Sequence, residues 1–311
     1  MAYDQYSPGA HKLMHHLGHL EAMVAGKPVA PIHVSVWPTI RCQLRCSYCC
    51  CRNVVDRTVG DIDKDEFMSA VDVLAKYGTK AIEFSGGGEP LLWPHLYEAS
   101  KYVASKGIKL SLITNGLALK DVPLEVLSLF AWIRVSLHSV GHAKSIDFDR
   151  PRSVTRASAS YIVSASDDLS CIPGLAAVAA EKRLTLRIAV ERPSTLEREL
   201  EVGNSVGGFS PPLFFSHKES GAPLGCYMAW VRAAINWKGM FLPCPAMQLN
   251  YDSTGAIPES FPLCHISGLE EWILKNPPRD LGYRCGFCNC GKEHNDLIHS
   301  LSKEEEDVDF V

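Results

Sequence analysis

Short β-branched runs alternate with helix-length amphipathic segments through most of the first 217 residues, and that rhythm leaves few folds open. "IHVSVW" (32–37), "KAIEFS" (80–85), "IKLSLIT" (108–114), "WIRVSLH" (132–138), "LTLRIAVE" (184–191) and "PLFFSH" (212–217) read as strands. Between them "DKDEFMSAVDVLAKYG" (63–78), "PHLYEASKYVASKG" (94–107), "VPLEVLSLF" (122–130), "IPGLAAVAAEKR" (172–183) and "TLERELEVGN" (195–204) read as helices. A further helix over 8–25 stops at Gly26-Lys27-Pro28. Strands joined through helices require a parallel sheet with right-handed crossovers. Six such units are too few for a complete eight-unit barrel, which leaves a partial barrel or an open doubly wound sheet. Both place the working site at the carboxyl ends of the strands.

Two stretches break the rhythm. Residues 139–170 are Ser-rich and polar, and read as one long connection of the kind that carries function or moves. From Gly225 onward the alternation ends and six cysteines appear, which marks a second unit. The expected organisation is an N-terminal helix (1–30), an α/β domain (31–217), a small C-terminal domain (218–298) and an acidic tail (299–311). Hydrophobic residues at 46% and charged residues at 21% are ordinary for a globular chain, and a net charge of −4 gives no general attraction to nucleic acid or anionic membranes. No signal peptide and no apolar run of membrane-spanning length is apparent. A cytoplasmic location is expected, where thiols stay reduced, so twelve cysteines suggest metal rather than disulfides.

Five of those cysteines fall within "RCQLRCSYCCCRN" (41–53), in the loop after the first strand. Cys42, Cys46 and Cys49 are spaced C-x3-C-x2-C. Three thiolates on one loop can hold three irons of a cubane cluster and leave the fourth open, whereas structural zinc wants four closed ligands, a role Cys50 or Cys51 could complete. On this stretch iron–sulfur is favoured and zinc stays open. "EFSGGGEPLLWP" (83–94) then sets three glycines and Glu89 at the carboxyl end of the second strand, where a ligand can approach backbone closely and a carboxylate can meet an amine.

"CQLRCSYC" and "GGE", with "ITNG" (113–116) and "RVSLH" (134–138) ending the next two strands, resemble the radical S-adenosylmethionine (radical SAM) superfamily over roughly residues 31–217. The resemblance implies a partial (β/α)6 barrel. It implies that Cys42, Cys46 and Cys49 bind a [4Fe-4S] cluster whose open iron takes the amino and carboxylate groups of SAM. Gly87, Gly88 and Glu89 would hold that amino group and Tyr48 would lie against the adenine. Ser136 and Arg187 would contact ribose or carboxylate. An external electron donor such as flavodoxin or ferredoxin is implied as partner. Cys50 and Cys51 have no place in that signature and are expected to be packing thiols.

"CYMAWVRAAINWKGMFLPC" (226–244) reads as a β-hairpin turning at Trp237-Lys238-Gly239, so Cys226 and Cys244 should converge. With Cys285 and Cys288 of "CGFCNC" they make a four-thiol set, for which structural zinc is a respectable reading. Beside the radical SAM resemblance, the spacing is similar to the twitch domain, a shortened SPASM domain, and implies an auxiliary [4Fe-4S] cluster. Cys264 and Cys290 are spare, and Cys290 is an alternative ligand. His138 and Glu191 end strands and are candidates for taking a proton from a substrate radical. The leading function is hydrogen abstraction from a small polar substrate, leading to oxidation or rearrangement. A peptide-modifying maturase, a nucleoside- or nucleobase-modifying enzyme and a non-catalytic iron–sulfur or zinc protein are the alternatives. Arg150, Arg152 and Arg156 are too few to argue for nucleic acid.

Overall fold

The structure is a computed structural model that describes residues 9–54, 60–164, 169–191, 194–207, 213–216, 221–250, 258, 261–283, 285, 288 and 291–302. The strands are β1 (His33–Val36), β2 (Ala81–Phe84), β3 (Lys109–Thr114), β4 (Phe130–Leu137), β5 (Arg156–Val163), β6 (Leu186–Val190), β7 (Leu213–Phe215), β8 (Arg232–Ile235), β9 (Met240–Leu242) and β10 (Cys264–His265). They form a single sheet in the order β10-β9-β8-β1-β2-β3-β4-β5-β6-β7. Each of β1 to β7 pairs in parallel with its neighbour in sequence, so right-handed crossovers put all the connecting helices on one face. That is the winding of a barrel rather than of a doubly wound sheet, whose order reverses at a switch point.

The helices are α1 (Leu17–Val24), which a 3-10 turn (Ala10–His16) leads into, α2 (Lys64–Lys76), α3 (Leu96–Ser105) and α4 (Leu124–Leu127). α5 (Val140–Ser145), α6 (Asp149–Arg152), α7 (Cys171–Glu181), α8 (Leu196–Gly207), α9 (Met228–Val231), α10 (Leu269–Lys275) and α11 (Lys292–Leu301) follow. α2 shows the local logic. Asp63 caps it by accepting from the backbone N–H of Asp65 and Glu66, at 3.0 and 2.9 Å. Its apolar stripe of Phe67, Ala70, Val71 and Leu74 is then buried against Ile82 and Phe84 of β2.

Residues 139–170 are not one connection. They hold α5, α6 and a full strand, β5, so the strands wound in sequence order, β1 to β7, number seven among the described residues, and 184–191 holds the sixth rather than the fifth. Strand β5, "RASASYIV", was hidden because its two faces differ in an unusual way. Ala159, Tyr161 and Val163 enter the helix-side core, while the alternate positions Ser158 and Ser160 are buried on the opposite face. Serine on a buried face reads as loop.

The C-terminal region extends the same sheet. β8 pairs in parallel with β1, His33 against Arg232 and Val36 against Ile235, and β9 and β10 follow antiparallel. The expected hairpin is present: Gly239 takes the left-handed conformation at φ +69° and its N–H bonds to Asn236 O at 2.9 Å.

Phe67 is fully buried, edge-on to Trp93 with ring centroids 5.7 Å apart. Phe67→Ala is expected to cost about 3–5 kcal/mol, and Asp63→Ala about 1 kcal/mol. Urea denaturation of both variants checks this, and a Phe67→Ala loss no larger than that of the cap would contradict this packing.

Candidate functional site

The loop that follows β1 is clasped by the loop that follows β2. Gly88 N–H donates to Thr39 O and Glu89 N–H to Arg41 O, both at 2.8 Å. The approach is so close that a Cβ on Gly88 would stand 2.1 Å from Arg41 O, and one on Gly86 would stand 2.1 Å from Gly88 O. A Cβ on Gly87 would meet the ring of Trp237 at 2.7 Å. The glycine run is therefore needed for the approach of this chain's own backbone and of Trp237.

Glu89 is the hub of the clasp. It is buried, and its carboxylate accepts from Thr114 Oγ1 and Asn115 N–H at 2.6 Å each and from Leu91 N–H at 3.1 Å. Burial raises its proton affinity, and these three donors offset only part of that. Asn115 then reaches back to the cysteine loop. Its Nδ2 donates to Gln43 Oε1 at 3.2 Å and lies 3.9 Å from Cys42 Sγ. Thr114 and Asn115 were not singled out from the sequence, although "ITNG" was; no pattern in one chain reveals that its two polar side chains hold a glutamate and a thiol.

Cys42, Cys46 and Cys49 lie within electrostatic reach of one another. Burial pushes the Cys42 thiol up, the Leu44 N–H lowers it, and the charges of Glu89, Cys49 and Cys46 raise it further. Thiolates that repel each other in this way are what a bound cation relieves. The Tyr48 hydroxyl donates to Leu137 O at 2.9 Å, pinning the loop to the end of β4, and burial and then Cys46 raise its proton affinity. Cys51 is fully buried among Trp37, Ile40, Val54 and Trp237, as expected of a packing thiol.

The remaining candidates sit around this loop. Ser136 of β4 lies opposite Ser160 of β5, which lies opposite Arg187 of β6, so the register brings all three into one row. Glu191, just past β6, is ion-paired with Arg52 of the cysteine loop, a contact the sequence did not disclose. His138, just past β4, stacks on His142 with ring centroids 4.1 Å apart, and its backbone N–H donates to His142 Nδ1 at 3.4 Å.

Of the C-terminal thiols, Cys285 and Cys288 act through charge on Cys226, and Cys226, Cys285 and Cys244 act on Tyr283. Burial pushes the Cys226 thiol up to about 11, with Met228 N–H lowering it and Cys288 and Cys285 adding to the rise. Tyr283 is raised by burial and then by Cys226, Cys285 and Cys244. Asn295 is fully buried beside them: its Oδ1 accepts from Tyr227 N–H at 2.7 Å and its Nδ2 lies 3.7 Å from Cys288 Sγ. Cys264 packs instead at the edge of the main core, and Cys290 lies outside the described residues. Among the described residues no three His, Cys, Asp or Glu side chains are gathered closely enough to hold a single metal ion.

Residues 37–164 match the family model of the Radical SAM superfamily. An S-adenosylmethionine-dependent nucleotide dehydratase of Flammeovirga pacifica is 31% identical over 127 residues, 39% of this chain and 43% of that protein. A dTDP-4-amino-4,6-dideoxy-D-glucose ammonia-lyase of Streptomyces venezuelae is 32% identical over 110 residues, 35% of this chain and 23% of that protein. The chain thus spans less than half the length of either relative. The crystal structure of Streptococcus suis SuiB bound to precursor peptide SuiA has a similar fold, with a TM-score of 0.55 at 12% identity over 97% of this chain and 71% of that one. The domain match supports the superfamily over those residues, and the likeness to SuiB is one of fold.

Gly88→Ala drives a methyl into the Arg41 carbonyl and is expected to cost about 1–3 kcal/mol. Gly18→Ala, in α1 with open space around the new carbon, is expected to stabilise by about 0.5–1 kcal/mol. Chemical denaturation of the two variants gives both signs, and a neutral Gly88→Ala would remove the clasp.

Proposed function

We propose that this chain is a radical SAM enzyme that takes a hydrogen atom from a small polar substrate and oxidises or rearranges it with the help of a second, C-terminal cluster. The observation that carries this reading is the clasp: one loop carrying Cys42, Cys46 and Cys49, held by backbone hydrogen bonds to a Gly-Gly-Glu turn at the carboxyl ends of parallel strands. The relatives named for SAM-dependent nucleotide chemistry and for a dTDP-sugar lyase favour a small substrate.

Cys42, Cys46 and Cys49 would hold a [4Fe-4S] cluster; three thiols on one loop fit a centre that keeps one iron for a non-protein ligand. Glu89, already buried and raised in proton affinity, would gain a countercharge from the ammonium of SAM beside Gly87 and Gly88. Tyr48 would bound the adenine, with Ser136 and Arg187 taking ribose or carboxylate. The chemistry such a pair supplies when bound is reductive cleavage of SAM to methionine and a 5′-deoxyadenosyl radical that takes the hydrogen atom. The apolar layer of Trp37, Ile40 and Trp237 would keep water from it.

Cys226, Cys244, Cys285 and Cys288 would hold an auxiliary [4Fe-4S] cluster. In an oxidation the substrate would lose a hydrogen atom to the adenosyl group, one electron to this second thiolate centre and one proton to a base. Glu191 is engaged by Arg52, so we assign the base to His138 at the end of β4. A peptide substrate is the second reading, favoured by the fold shared with SuiB bound to its precursor peptide.

Iron and sulfide per chain, measured after anaerobic reconstitution in wild type and in the Cys42/Cys46/Cys49→Ala variant, test this directly. About eight irons falling to about four are expected. About four falling to none, with zinc retained, would turn the C-terminal set into a structural zinc site and remove the electron acceptor. Zinc alone in both proteins would sink the whole proposal.

A further inference from the structure

Asn295, in the first turn of α11, has no exposed surface. A buried side-chain amide costs free energy unless both of its ends meet partners. Here the two ends are met by different segments. Oδ1 accepts from Tyr227 N–H at 2.7 Å, and because that donor has to meet an acceptor, the amide is fixed against being turned over. Nδ2 is thereby aimed at Cys288 Sγ, 3.7 Å away. Among the described residues that sulfur is the one acceptor the Asn295 amide meets.

The local chain holds this aim in place. Cys288 O accepts from Lys292 N–H at 3.2 Å, and Gly291 O from Asn295 N–H at 2.8 Å, so Cys288 leads directly into α11. The positive end of that ten-residue helix therefore lies at the same cysteine. The start of α11 is also pressed against α9: a Cβ on Gly291 would stand 2.3 Å from Met228 Sδ. Tyr227 directly follows Cys226, so Asn295 ties the segment of one thiol to the sulfur of another.

The first thiol loop offers a comparison. There Asn115 Nδ2 lies 3.9 Å from Cys42 Sγ, but it also donates to Gln43 Oε1 at 3.2 Å. Glu89 adds negative charge beside the same thiol. At Cys288 the amide is not divided in that way. An N–H aimed at a thiolate sulfur stabilises negative charge on it. Adding an electron to an iron–sulfur centre increases that charge, so a donor of this kind favours the reduced form. It offsets part of the negative charge that Asp280 brings to Cys226.

We propose that Asn295 is a positioning residue of the C-terminal thiol set, whose amide on Cys288 raises the reduction potential of the cluster held there and poises it to accept an electron. This rests on the proposed [4Fe-4S] cluster at Cys226, Cys244, Cys285 and Cys288. It selects oxidation over rearrangement as the outcome. The substrate radical becomes a closed-shell product by losing one electron to this cluster, which is reduced by that electron, and one proton to His138.

Redox titration of the anaerobically reconstituted full chain, followed by electron paramagnetic resonance, tests it, with iron and zinc counted in the same samples. The Cys42/Cys46/Cys49→Ala variant identifies which signal belongs to the C-terminal cluster. Asn295→Asp keeps the acceptor for Tyr227 N–H, loses the donor and adds negative charge beside Cys288. At pH 8.5 it is expected to make reduction of that cluster at least tenfold less favourable, about 59 mV for one electron, with about eight irons per chain retained. Asn295→Ala, which serves also if the Asp variant fails to load, is expected to shift it the same way by about threefold. The potential of the first cluster is expected to stay within about twofold in both. An amide with a merely structural role would be replaced by Asp with no shift. Full iron with an unmoved or raised potential in both variants would overturn this inference alone. Zinc in place of the second four irons would overturn the C-terminal cluster and this inference with it.

Discussion

Everything at the carboxyl end of the sheet depends on two backbone hydrogen bonds, Gly88 N–H to Thr39 O and Glu89 N–H to Arg41 O. They pin the loop after β1 to the loop after β2, and they exist because residue 88 has no Cβ to collide with Arg41. Glu89 then passes the constraint to β3 through Thr114 and Asn115, and Asn115 returns it to Cys42 and Gln43. Tyr48 to Leu137 and Arg52 to Glu191 extend the same loop to the ends of β4 and β6. A segment with no secondary structure of its own is thus held from four strands. Preorganised ligands do not have to be ordered at the moment a metal binds, so less of the binding energy is lost to entropy.

Much of this was legible in the sequence, and the reasons the rest was not are physical. Cys42, Cys46 and Cys49, the Gly-Gly-Glu turn and the hairpin at Gly239 are local patterns, and local patterns survive in a linear reading. β5 was lost because its buried face carries Ser158 and Ser160, and a reading that equates burial with apolar side chains takes such a strand for a loop. The pairing of β8 with β1 joins residues almost two hundred positions apart, which no periodicity encodes. Glu191 was legible as an acid at a strand end, but its ion pair with Arg52 spans 139 positions and changes what it is free to do. The same holds for Trp237, legible as a turn residue and found packed against Gly60 and Gly87.

On the proposed function, the polarity that concealed β5 would serve the site. A barrel core filled with Val and Leu stabilises through area removed from water. Here the corresponding face holds arginine, serine and glutamate, which gives up some of that stabilisation. The helix-side core compensates with fully buried Phe67, Phe84, Trp93 and Phe130. Stability and chemistry are divided between the two faces of one sheet, and the alternation of side chains along each strand serves both at once.

The C-terminal segment completes the arrangement from the other edge of β1. β8 supplies Arg232 to the polar face, while Ala234, Trp237 and Leu242 join Trp37, Ile40 and Cys51 in a dry layer. Cys49 and Cys50 of the first loop pack against that layer, and so do Cys244 and Cys285 of the second thiol set. Two groups of thiols bordering one apolar layer interact with less solvent screening than two groups facing water. On the proposed function each site would therefore feel the charge of the other, so that adding an electron at one would oppose adding an electron at its neighbour. On that reading the layer that would keep water from the radical would also be the medium that couples the two centres.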